Sequence, residues 1–537
     1  MKLRRNYLFP LTAICVAIFF INLDAVYVNI MEARNFITAR EMLNEGNWIF
    51  TTMNAEPRYE KPPLPTWMTA LSMSVFGMEN LFALRLSAAL STLLLVLFFY
   101  RLVVSLTKQK KFAWIASLIL MTSFYIIFSG RNGQWDIFAH AFMMAGIYFF
   151  YLFFTSEEQQ YRNVIFAAIF FGFSFLSKGP VSHYALLLPF LVAFGWVYKF
   201  KSLRTRWKPL LLLLLLTIII SGWWNLYVYL FDTRAVAKIT ERETGRWLDY
   251  NVRPFYYYWN FFVHSGIWAI PALISLLYPY LKNKVFDKKA YKFALFWTLA
   301  SVLLLSVIPE KKVRYLLPVF IPLALNTAFY IEYLFRNFGL KMPKKEVWIV
   351  YFNFGLIALI GLAFPVAGYI YFGSAIADFP VWFGLTAIFL TGIGLIILIN
   401  LRRKNIEKVF YLTVAFMVSI IWFGLPMAKY IQVNENYNSI TNVKPFLEEE
   451  NLLLYEFRGF SPEIIWEYGQ SIPLLEEGEA LPPANAFYLL AEEGMKETLE
   501  EEFPGYELKK VESFDMNPVS STHKSRLYRD LYLLRKY

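Results

Sequence analysis

Long apolar runs are the feature that most constrains this chain of 537 residues. A helix that crosses the bilayer core needs roughly 17–25 mostly apolar residues. Thirteen runs come close to this length, at about 8–23, 81–104, 113–129, 137–154, 164–177, 181–198, 209–228, 265–281, 293–308, 315–335, 347–371, 381–400 and 409–426. The sequence therefore predicts a polytopic all-α membrane protein with about thirteen transmembrane helices.

The placement of Lys and Arg predicts how these helices are oriented. The formal net charge is +12. The loops that we assign to the cytoplasm hold 25 Lys and Arg in 63 residues, whereas the short loops on the other side hold 14 in 102 residues. Because positive residues are retained inside, we expect a cytoplasmic N-terminus and an external C-terminus. We expect residues 8–23 to remain as a signal anchor, since no small-residue cleavage site follows closely.

The last part of the chain has a different composition. Residues 427–537 carry 11 Lys and Arg against 20 Asp and Glu, with strand-like and helix-like runs such as Asn451–Phe457 and Glu492–Glu502. We expect residues 1–426 to form the transmembrane domain and residues 427–537 to form a small α/β or α+β domain on the external, periplasmic face. The basic excess then belongs to the membrane part and reflects topology, not a nucleic-acid surface.

Two of the external loops are long, at about 24–64 and 229–264. In the first of them the apolar residues approximate one face of a helix, which is typical of a helix lying at the membrane surface. These residues are Met31, Phe36, Ile37, Met42 and Leu43.

Several cations lie on the outside, where the positive-inside rule disfavours them. Lys178 occupies a tight turn with Gly179 and Pro180, and the others lie beside aromatic residues or in the long loops. They include Arg34, Lys61, Arg253, Lys311, Lys312 and Arg314. A single one of them is explained by anchoring at the interface. Together they favour a site for the phosphate or pyrophosphate head group of a lipid.

Carboxylates accompany these cations on the same face, at Asp24, Glu32, Glu60, Asp136, Glu241 and Glu243. Transfer from a lipid-phosphate sugar needs a carboxylate to take the acceptor's proton and cations to stabilise the departing phosphate. The structural alternative for Asp136 is an ion pair with Arg131 or a helix N-terminal charge. The four histidines lack metal-ligand spacing, so any metal site would be led by carboxylates.

Two motifs of the first loop carry a family resemblance. Residues 31–42, followed by Gly46-Asn47-Trp48, and the segment Tyr59-Glu60-Lys61-Pro62-Pro63 resemble the first periplasmic loop of the bacterial aminoarabinose (lipid A) transferases. Those enzymes are related to the protein O-mannosyltransferases within the GT-C glycosyltransferase superfamily. Residues 176–180 and 311–318 are similar to later motifs of the group, and the resemblance covers roughly residues 10–425.

The resemblance implies an inverting glycosyltransferase whose donor is an undecaprenyl-phosphate sugar. It implies that the donor phosphate is bound by Arg34, Lys61 and Lys178, with Arg253 beside them, and that Glu60 takes part in binding a divalent metal. From the external charges we expect Lys312 and Arg314 to join the phosphate site. We expect Tyr59 and Tyr315 to line it.

One position departs from the family. Its first loop usually carries an adjacent Asp-Glu pair whose Asp is the presumed catalytic residue, whereas this chain has Met31-Glu32. We predict that Glu32 orients or deprotonates the acceptor. Asp24 and Asp136 are the alternatives, as is an acceptor phosphate that needs little assistance from a base.

The sequence thus predicts a glycosyltransferase of the bacterial inner membrane that transfers a sugar from undecaprenyl phosphate to an envelope acceptor. Lipid A or another glycolipid is the first expectation, and a protein acceptor, as for an O-mannosyltransferase, is the second. An alternative from another class is a transporter or flippase for lipid-linked sugars. The ionisable residues cluster at the ends of the spans, which disfavours that alternative.

Overall fold

The computed structural model describes residues 7–200, 205–339, 342–431, 433–476, 484–519, 521 and 523–537, without the side chains of residues 245–249. Helices dominate the chain up to about residue 430, and a mixed sheet follows. The helices of the first part are α1 Leu8–Phe19, α2 Ile30–Glu45, α3 Leu64–Phe76, α4 Leu81–Thr107, α5 Lys110–Met121, α6 Phe124–Gly130, α7 Asp136–Thr155, α8 Gln160–Lys178, α9 Leu188–Val197, α10 Trp207–Phe231, α11 Thr233–Asp249, α12 Ala269–Ser275, α13 Tyr278–Leu281, α14 Lys288–Val307, α15 Leu317–Asn337, α16 Lys344–Phe372, α17 Pro380–Arg402 and α18 Ile406–Ser419.

Many of these helices are long and apolar enough to cross a membrane. Among the described residues eight pass this test, namely α4, α7, α10, α14, α15, α16, α17 and α18 with their flanking turns. A ninth results if α5 and α6, bent by 69°, count as one span, and α1 and the segment His183–Val197 are shorter apolar helices. The prediction of a polytopic helical membrane protein is confirmed, although not its count of thirteen.

Besides the bent pair α5 and α6, the predicted span at 265–281 also differs from a straight helix. The run at 265–281 consists of a 3₁₀ segment, α12 and the four-residue α13. Gly266 has a φ of 71° and interrupts the first segment, and Pro279 near the start of α13 lacks the backbone N–H that would continue α12. A hydropathy pattern does not register these local breaks.

Helix α2 of the first loop is covered by protein, so the expectation that its polar residues face water is wrong, whereas its position at the membrane surface stays a prediction. It begins with a capping box in which the Asn29 side chain accepts hydrogen bonds from the backbone N–H groups of Met31 and Glu32. It packs against α3 and against the C-terminal region, where the ring of Phe36 lies edge-on to Trp466 at 5.4 Å. The polar face of α2, which the sequence pattern predicted to face water, is therefore covered by other parts of the protein.

The C-terminal region contains the strands β3 Leu454–Phe457, β4 Leu474–Leu475, β5 Ala486–Ala491, β6 Tyr506–Asp515 and β7 Tyr528–Lys536, after a two-stranded pair in the first loop, β1 Thr52–Met53 and β2 Glu56–Pro57. The strand order is β4-β3-β5-β7-β6. Strand β3 is parallel to β4 and β5, and the other pairs are antiparallel. Three short helices accompany them, α19 Lys444–Glu450, α20 Pro462–Tyr468 and α21 Lys496–Glu502. The prediction that the C-terminal region combines strands and helices is confirmed, and we call this part of the chain the sheet region.

The first loop joins this sheet region to the helical part. Arg40 of α2 donates hydrogen bonds to the carbonyl oxygens of Ile465 and Trp466 at 3.0 and 3.1 Å. Asn54 donates to the carbonyl of Ile472 at 2.8 Å and accepts from its N–H at 2.7 Å. The first loop, and any site built on it, therefore lies between the helices and the sheet region.

Candidate active site

Three of the predicted phosphate-binding cations surround one aromatic ring. The Nζ of Lys178, at the end of α8, lies 5.3 Å from the ring centroid of Tyr315. The guanidinium of Arg314 lies 5.7 Å from this centroid, and the Nζ of Lys312 lies 5.8 Å from it. Lys178 thus forms one basic cluster with Lys312 and Arg314, which lie 134 or more positions later in the sequence. Helix α8 ends at Lys178 because the chain turns tightly at Gly179, whose φ is 69°.

Lys61 of the first loop belongs to the same cluster. Burial, and next the positive charge of Lys178, lower the pKa of Lys61 to about 8. Glu243 and Glu60 act in the opposite direction, and Arg58 adds to the lowering. Like charges that lie close together in a partly desolvated place are stabilised by a bound anion, so this cluster has the electrostatics of a phosphate site.

Arg58 connects the first loop to the start of α7, a role that the sequence did not predict. Its Nη1 donates hydrogen bonds to the carbonyl of Arg34 at 3.1 Å and to Oγ1 of Thr38 at 2.9 Å. Its guanidinium lies 4.7 Å from the ring centroid of Trp135. Burial lowers the pKa of Arg58 to about 10, and the charge of Arg34 contributes. Arg34 and Arg58 therefore add to the positive potential beside Lys61.

Asp136 is the carboxylate most closely associated with the cations. It is the first residue of α7, is buried, and forms an ion pair with Lys178. The predicted alternative of a pair with Arg131 is wrong, because Arg131 donates to the carbonyl oxygens of Ile18, Ile21 and Asn22 at 2.6–2.7 Å. One turn into α7, the Nδ1 of His140 lies 2.8 Å from Oγ of Ser182.

Glu32, the predicted catalytic acid, lies in a closed network. Its Oε1 accepts hydrogen bonds from Nε of Arg85 at 2.7 Å and from the N–H of Gly133 at 2.9 Å. Its Oε2 accepts from Nη2 of Arg85 at 3.0 Å and from Nδ2 of Asn29 at 2.8 Å. Both oxygens are satisfied and the side chain is 1% exposed. This geometry favours a structural role that joins α2, α4 and the turn at Gly133.

Arg85 was not predicted as part of the site, although a signal for it exists. It lies within α4, a membrane-spanning candidate, and an ionisable residue inside an apolar run indicates a buried partner. The other alternative acid, Asp24, is exposed and lies 3.4 Å from Lys429. Its ion-pair partner among the described residues is thus a surface lysine outside the basic cluster.

Tyr59 and Glu60 contact the second long loop. The hydroxyl of Tyr59 donates to Oδ2 of Asp232 at 2.7 Å, and Glu60 forms an ion pair with Arg242 of α11. Within the part of the chain that the structure describes, no group of three His, Cys, Asp or Glu side chains could hold a metal ion. The described residues therefore do not form a metal cage around Glu60. Metal binding by Glu60 stays a prediction.

The segments around residues 253 and 312 are hydrogen-bonded to each other. The N–H of Arg253 donates to the carbonyl of Pro309 at 3.2 Å, and Nζ of Lys311 donates to the carbonyl of Arg253 at 3.0 Å, while the Arg253 side chain is exposed. Glu310, a carboxylate that sequence reasoning did not identify, lies 2.6 Å from Nζ of Lys312 and accepts from the Tyr315 hydroxyl at 3.2 Å.

Buried polar atoms without a partner occur around these cations. Among the described residues they include Oε2 of Glu60, Nε2 of Gln134, Nε1 of Trp135 and Nε of Arg314. Nearly all buried polar groups in proteins are hydrogen-bonded. Arg314 belongs to the basic cluster, Glu60 precedes Lys61 and Trp135 precedes Asp136, so these atoms are candidates for hydrogen bonds to a polar ligand.

Comparisons with known proteins agree with this architecture. The profile of the family described as dolichyl-phosphate-mannose-protein mannosyltransferase matches residues 60–224. An undecaprenyl phosphate-alpha-4-amino-4-deoxy-L-arabinose arabinosyl transferase of Pectobacterium atrosepticum is 24% identical over 467 residues, which are 82% of this chain and 79% of the relative. A transferase of the same name from Proteus mirabilis, designated 1, is 25% identical over 347 residues, and the match spans 61% of its length, less than two thirds.

A solved structure extends the similarity to the whole chain. The crystal structure of ArnT from Cupriavidus metallidurans bound to undecaprenyl phosphate superposes with a TM-score of 0.68 and covers 98% of each chain. The sequences are 14% identical, so this similarity establishes the fold. The resemblance carried by the first loop is therefore confirmed: this chain of long apolar helices is similar in sequence to the aminoarabinose transferases and has the fold of ArnT.

Proposed function

We propose that this chain is an integral membrane glycosyltransferase that transfers a sugar from an undecaprenyl-phosphate carrier to an envelope acceptor. The observation that carries the proposal is the basic cluster of Lys178, Lys312 and Arg314 around Tyr315, with Lys61 near enough to feel the charge of Lys178, beside the buried carboxylate of Asp136. The names of the relatives specify aminoarabinose carried on undecaprenyl phosphate as the first donor to test. Lipid A is the first acceptor.

In the proposed reaction, cations stabilise the leaving phosphate and a carboxylate accepts the proton of the acceptor. The bond between the anomeric carbon of the sugar and the phosphate oxygen breaks, and the acceptor oxygen forms a new bond on the opposite face of that carbon, so the configuration inverts. The leaving undecaprenyl phosphate gains negative charge, which the basic cluster stabilises. The acceptor's proton passes to a carboxylate.

Asp136 is the carboxylate that we assign to this proton transfer. Both oxygens of Glu32 are occupied by Arg85, Asn29 and Gly133, whereas Asp136 pairs with a lysine of the phosphate site itself. When the donor phosphate engages Lys178, Asp136 loses part of its partner's charge and becomes a stronger base. Donor binding thus prepares the base for the acceptor.

The membrane arrangement is part of the proposal. We infer a transmembrane domain over residues 1–426 with about thirteen spans, a cytoplasmic N-terminus, and a periplasmic domain over residues 427–537. The asymmetry of Lys and Arg between the two sets of loops supports this orientation. The active site then faces the periplasm, as an undecaprenyl-linked donor and an envelope acceptor require.

A protein acceptor is the second candidate. It is favoured by the match of residues 60–224 to the dolichyl-phosphate-mannose-protein mannosyltransferase profile. The matched residues include Glu60, Lys61, Asp136 and Lys178, so they cover the donor side of the cluster. The donor chemistry is common to both candidates, and the acceptor distinguishes them.

The test is a transfer assay with purified full-length protein in nanodiscs. Radiolabelled undecaprenyl-phosphate aminoarabinose is supplied with lipid A or with a mixture of envelope proteins, and the labelled product is identified by mass spectrometry. Lys61→Ala and Asp136→Asn are expected to lose transfer, whereas Lys496→Ala, exposed on α21, is the matched control. Full transfer by Lys61→Ala, or movement of intact donor between leaflets without any transfer, contradicts the proposal.

A further inference from the structure

A pocket lies where three candidate membrane spans end, far from the basic cluster around Tyr315. It has a volume of about 360 Å³ and is formed by the residues that follow α15, the first turns of α16 and the turn after α17. Helix α15 begins beside the basic cluster, at Leu317, and its 21 residues extend over about 30 Å before the pocket. The pocket therefore lies at the other end of α15 and shares no lining residue with the proposed active site.

Both loops that border the pocket are basic. Residues 336–345 and 401–408 hold four Lys and Arg each, against one Glu in total, and both belong to the loops that we assign to the cytoplasm. In this orientation the pocket lies at the cytoplasmic interface, where anionic phospholipids make the leaflet negative. Basic pockets between transmembrane helices on this side of a membrane are typical sites for anionic head groups.

Two lysines of the pocket, Lys344 and Lys404, come from different helices. Lys344 is the first residue of α16, whereas Lys404 follows α17 in a left-handed turn with a φ of 57°. A Cβ at Gly339 would lie 2.5 Å from Cδ of Lys404, so the lysine stem lies directly against the glycine backbone. Only glycine leaves this space, and it thereby keeps Lys404 over the pocket.

The acids nearest in sequence to these two lysines are paired with other cations. Glu346 accepts hydrogen bonds from Nζ of Lys284 at 2.7 Å and from the hydroxyl of Tyr280 at 2.6 Å. Oε1 of Glu407 lies 2.7 Å from Nζ of Lys111. Within the described ranges neither lysine of the pocket forms an ion pair. The pocket is therefore positive without a counter-ion of its own, and an anion complements it.

Three aromatic side chains complete the lining, Phe338, Trp348 and Tyr351. The ring centroids of Phe338 and Tyr351 are 5.8 Å apart, and the Tyr351 hydroxyl donates to the carbonyl of Leu401 at 3.2 Å, which fixes this ring between α16 and α17. Trp348 is 73% exposed. Because tryptophan is enriched at the level of lipid head groups, its ring indicates where acyl chains begin.

An apolar ridge on α16 continues from Trp348. Phe352, Leu356 and Leu359 are exposed and follow at spacings of four, four and three residues, which places them on one face of the helix. A basic pocket that opens onto an apolar ridge matches a molecule with a phosphate at one end and hydrocarbon chains at the other. A free anion would make no contact with the ridge.

We propose that this pocket binds the head group of an anionic phospholipid of the cytoplasmic leaflet. The phosphate diester lies between Lys344 and Lys404, and the acyl chains lie along the ridge of α16. The bound lipid then joins the ends of α15, α16 and α17. This inference does not depend on the transfer reaction, because its site is separate from the basic cluster.

The test measures lipid binding to the full-length protein by native mass spectrometry. Protein stripped of lipid in detergent is offered phosphatidylglycerol or zwitterionic phosphatidylcholine with the same chains. We expect phosphatidylglycerol to bind about tenfold more tightly, and Lys344→Gln/Lys404→Gln to abolish this preference. The matched control is Lys108→Gln/Lys110→Gln, which removes two exposed lysines from another loop assigned to the cytoplasm, one of them also in a left-handed turn.

Fluorescence quenching locates the bound lipid. Phosphatidylglycerol with brominated chains is expected to quench Trp348, so Trp348→Phe should lose the component that saturates first. Lys344→Arg/Lys404→Arg keeps both charges and is expected to bind like the parent chain. Equal affinities for the two lipids, an unchanged preference in the glutamine pair, an equal loss in the control pair, or unaltered quenching in Trp348→Phe overturns the proposal. Displacement of the lipid by millimolar inorganic phosphate shows a site for a free anion and overturns it as well.

Discussion

At the scale of residues, two carboxylates show how neighbours decide a role. Glu32 and Asp136 are both buried and both paired with a cation. The partner of Glu32 is Arg85, which also donates to the carbonyl oxygens of Leu23 and Tyr27 and is thereby fixed in place. The partner of Asp136 is Lys178, which lies beside three further cations of the phosphate site. The first pair holds backbone segments together, and the second can be rearranged by a ligand.

We predict that Glu32→Gln lowers stability more than it impairs chemistry. Removing one member of a buried ion pair costs about 3–5 kcal/mol, because the other charge stays buried without its partner. The expected result is a marked fall in the Tm of the full chain in detergent, with residual transfer per folded molecule. Asp24→Asn, at an exposed pair, is the control and should change the free energy of unfolding by at most about 0.5 kcal/mol. A wild-type Tm with no transfer would show that Glu32 is the catalytic acid.

The lowered pKa of Lys61 predicts a pH dependence in the binding of the undecaprenyl phosphate carrier. The ammonium form binds phosphate, and the pKa of about 8 in the free protein means that this form is lost as the pH rises through 8. The second ionisation of a phosphate monoester lies near pH 6, so the ligand is constant above pH 7. We expect the Kd for undecaprenyl phosphate to rise by about an order of magnitude between pH 7 and 9.

The matched variant for this experiment is Lys61→Arg. Its guanidinium stays protonated throughout, so the Kd should be nearly independent of pH over this range. Lys61→Ala should bind more weakly by about 1.5–3 kcal/mol at pH 7, the contribution of a hydrogen bond to a charged group, with a flat profile as well. A slope that persists in Lys61→Ala would assign the titration to another group.

The sequence singled out the cations that the fold brings together, whereas it did not indicate their partners. Lys178 and Arg314 stood out because cations are disfavoured in external loops, and Lys61 stood out through the resemblance of the first loop. Arg85 lies inside an apolar run, which indicates a buried partner, but the partner, Glu32, lies 53 positions away and is identified only by the fold. Glu310 lies two residues before Lys312, and its contacts with Lys312 and Tyr315 are seen only in the fold. A sequence pattern identifies unusual residues, but it does not show that two residues such as Glu32 and Arg85, 53 positions apart, lie in contact.

At the scale of elements, α2 was predicted as a helix and its environment was not. Periodicity reports which residues are apolar, and it assumes that polar residues face water. In α2 the polar residues Asn35, Thr38 and Arg40 are instead buried, because Thr66, Arg58 and the backbone of α20 offer them hydrogen bonds. The run at 265–281 also shows that an apolar pattern does not report local geometry. Its composition is apolar throughout, and yet the backbone at Gly266 is not helical.

Helices α16 and α17 give a prediction at this scale. A Cβ at Gly361 would lie 2.4 Å from the carbonyl oxygen of Leu390, and one at Gly394 would lie 2.7 Å from that of Ala358. Such small residues allow close packing of helices in membranes. We expect Gly361→Ala to destabilise the chain by about 1–3 kcal/mol, measured as a fall in Tm.

The control for this variant lies on α17 itself. A Cβ at Gly392 meets nothing within 4 Å, so Gly392→Ala should be neutral or slightly stabilising, because alanine is the better helix former. Equal falls in Tm for Gly361→Ala and Gly392→Ala would indicate that the separation of α16 and α17 is larger than the structure has it.

At the scale of the whole molecule, the sequence and the structure supply different parts of the argument. The alternation of loop charges predicts which side each loop occupies, and the fold shows that the basic cluster, the first loop and the sheet region lie together. The sequence-derived orientation therefore assigns all three to one face. The proposed transfer depends on that common assignment, because a lipid-linked donor and a glycolipid acceptor must meet in the same leaflet.

The membrane orientation can be tested by labelling introduced cysteines, because the chain has a single cysteine of its own. Cys15, the single cysteine, is fully buried and should not react with a membrane-impermeant maleimide, so the parent chain serves as the blank. Cysteine is introduced by Lys496→Cys on α21 of the sheet region or by Arg403→Cys after α17, two exposed positions assigned to opposite sides. In intact spheroplasts we expect labelling of the first variant alone, and labelling of the second only after permeabilisation. The reverse pattern would place the basic cluster in the cytoplasm, where a periplasmic acceptor cannot reach it, and would contradict the orientation and the acceptor together.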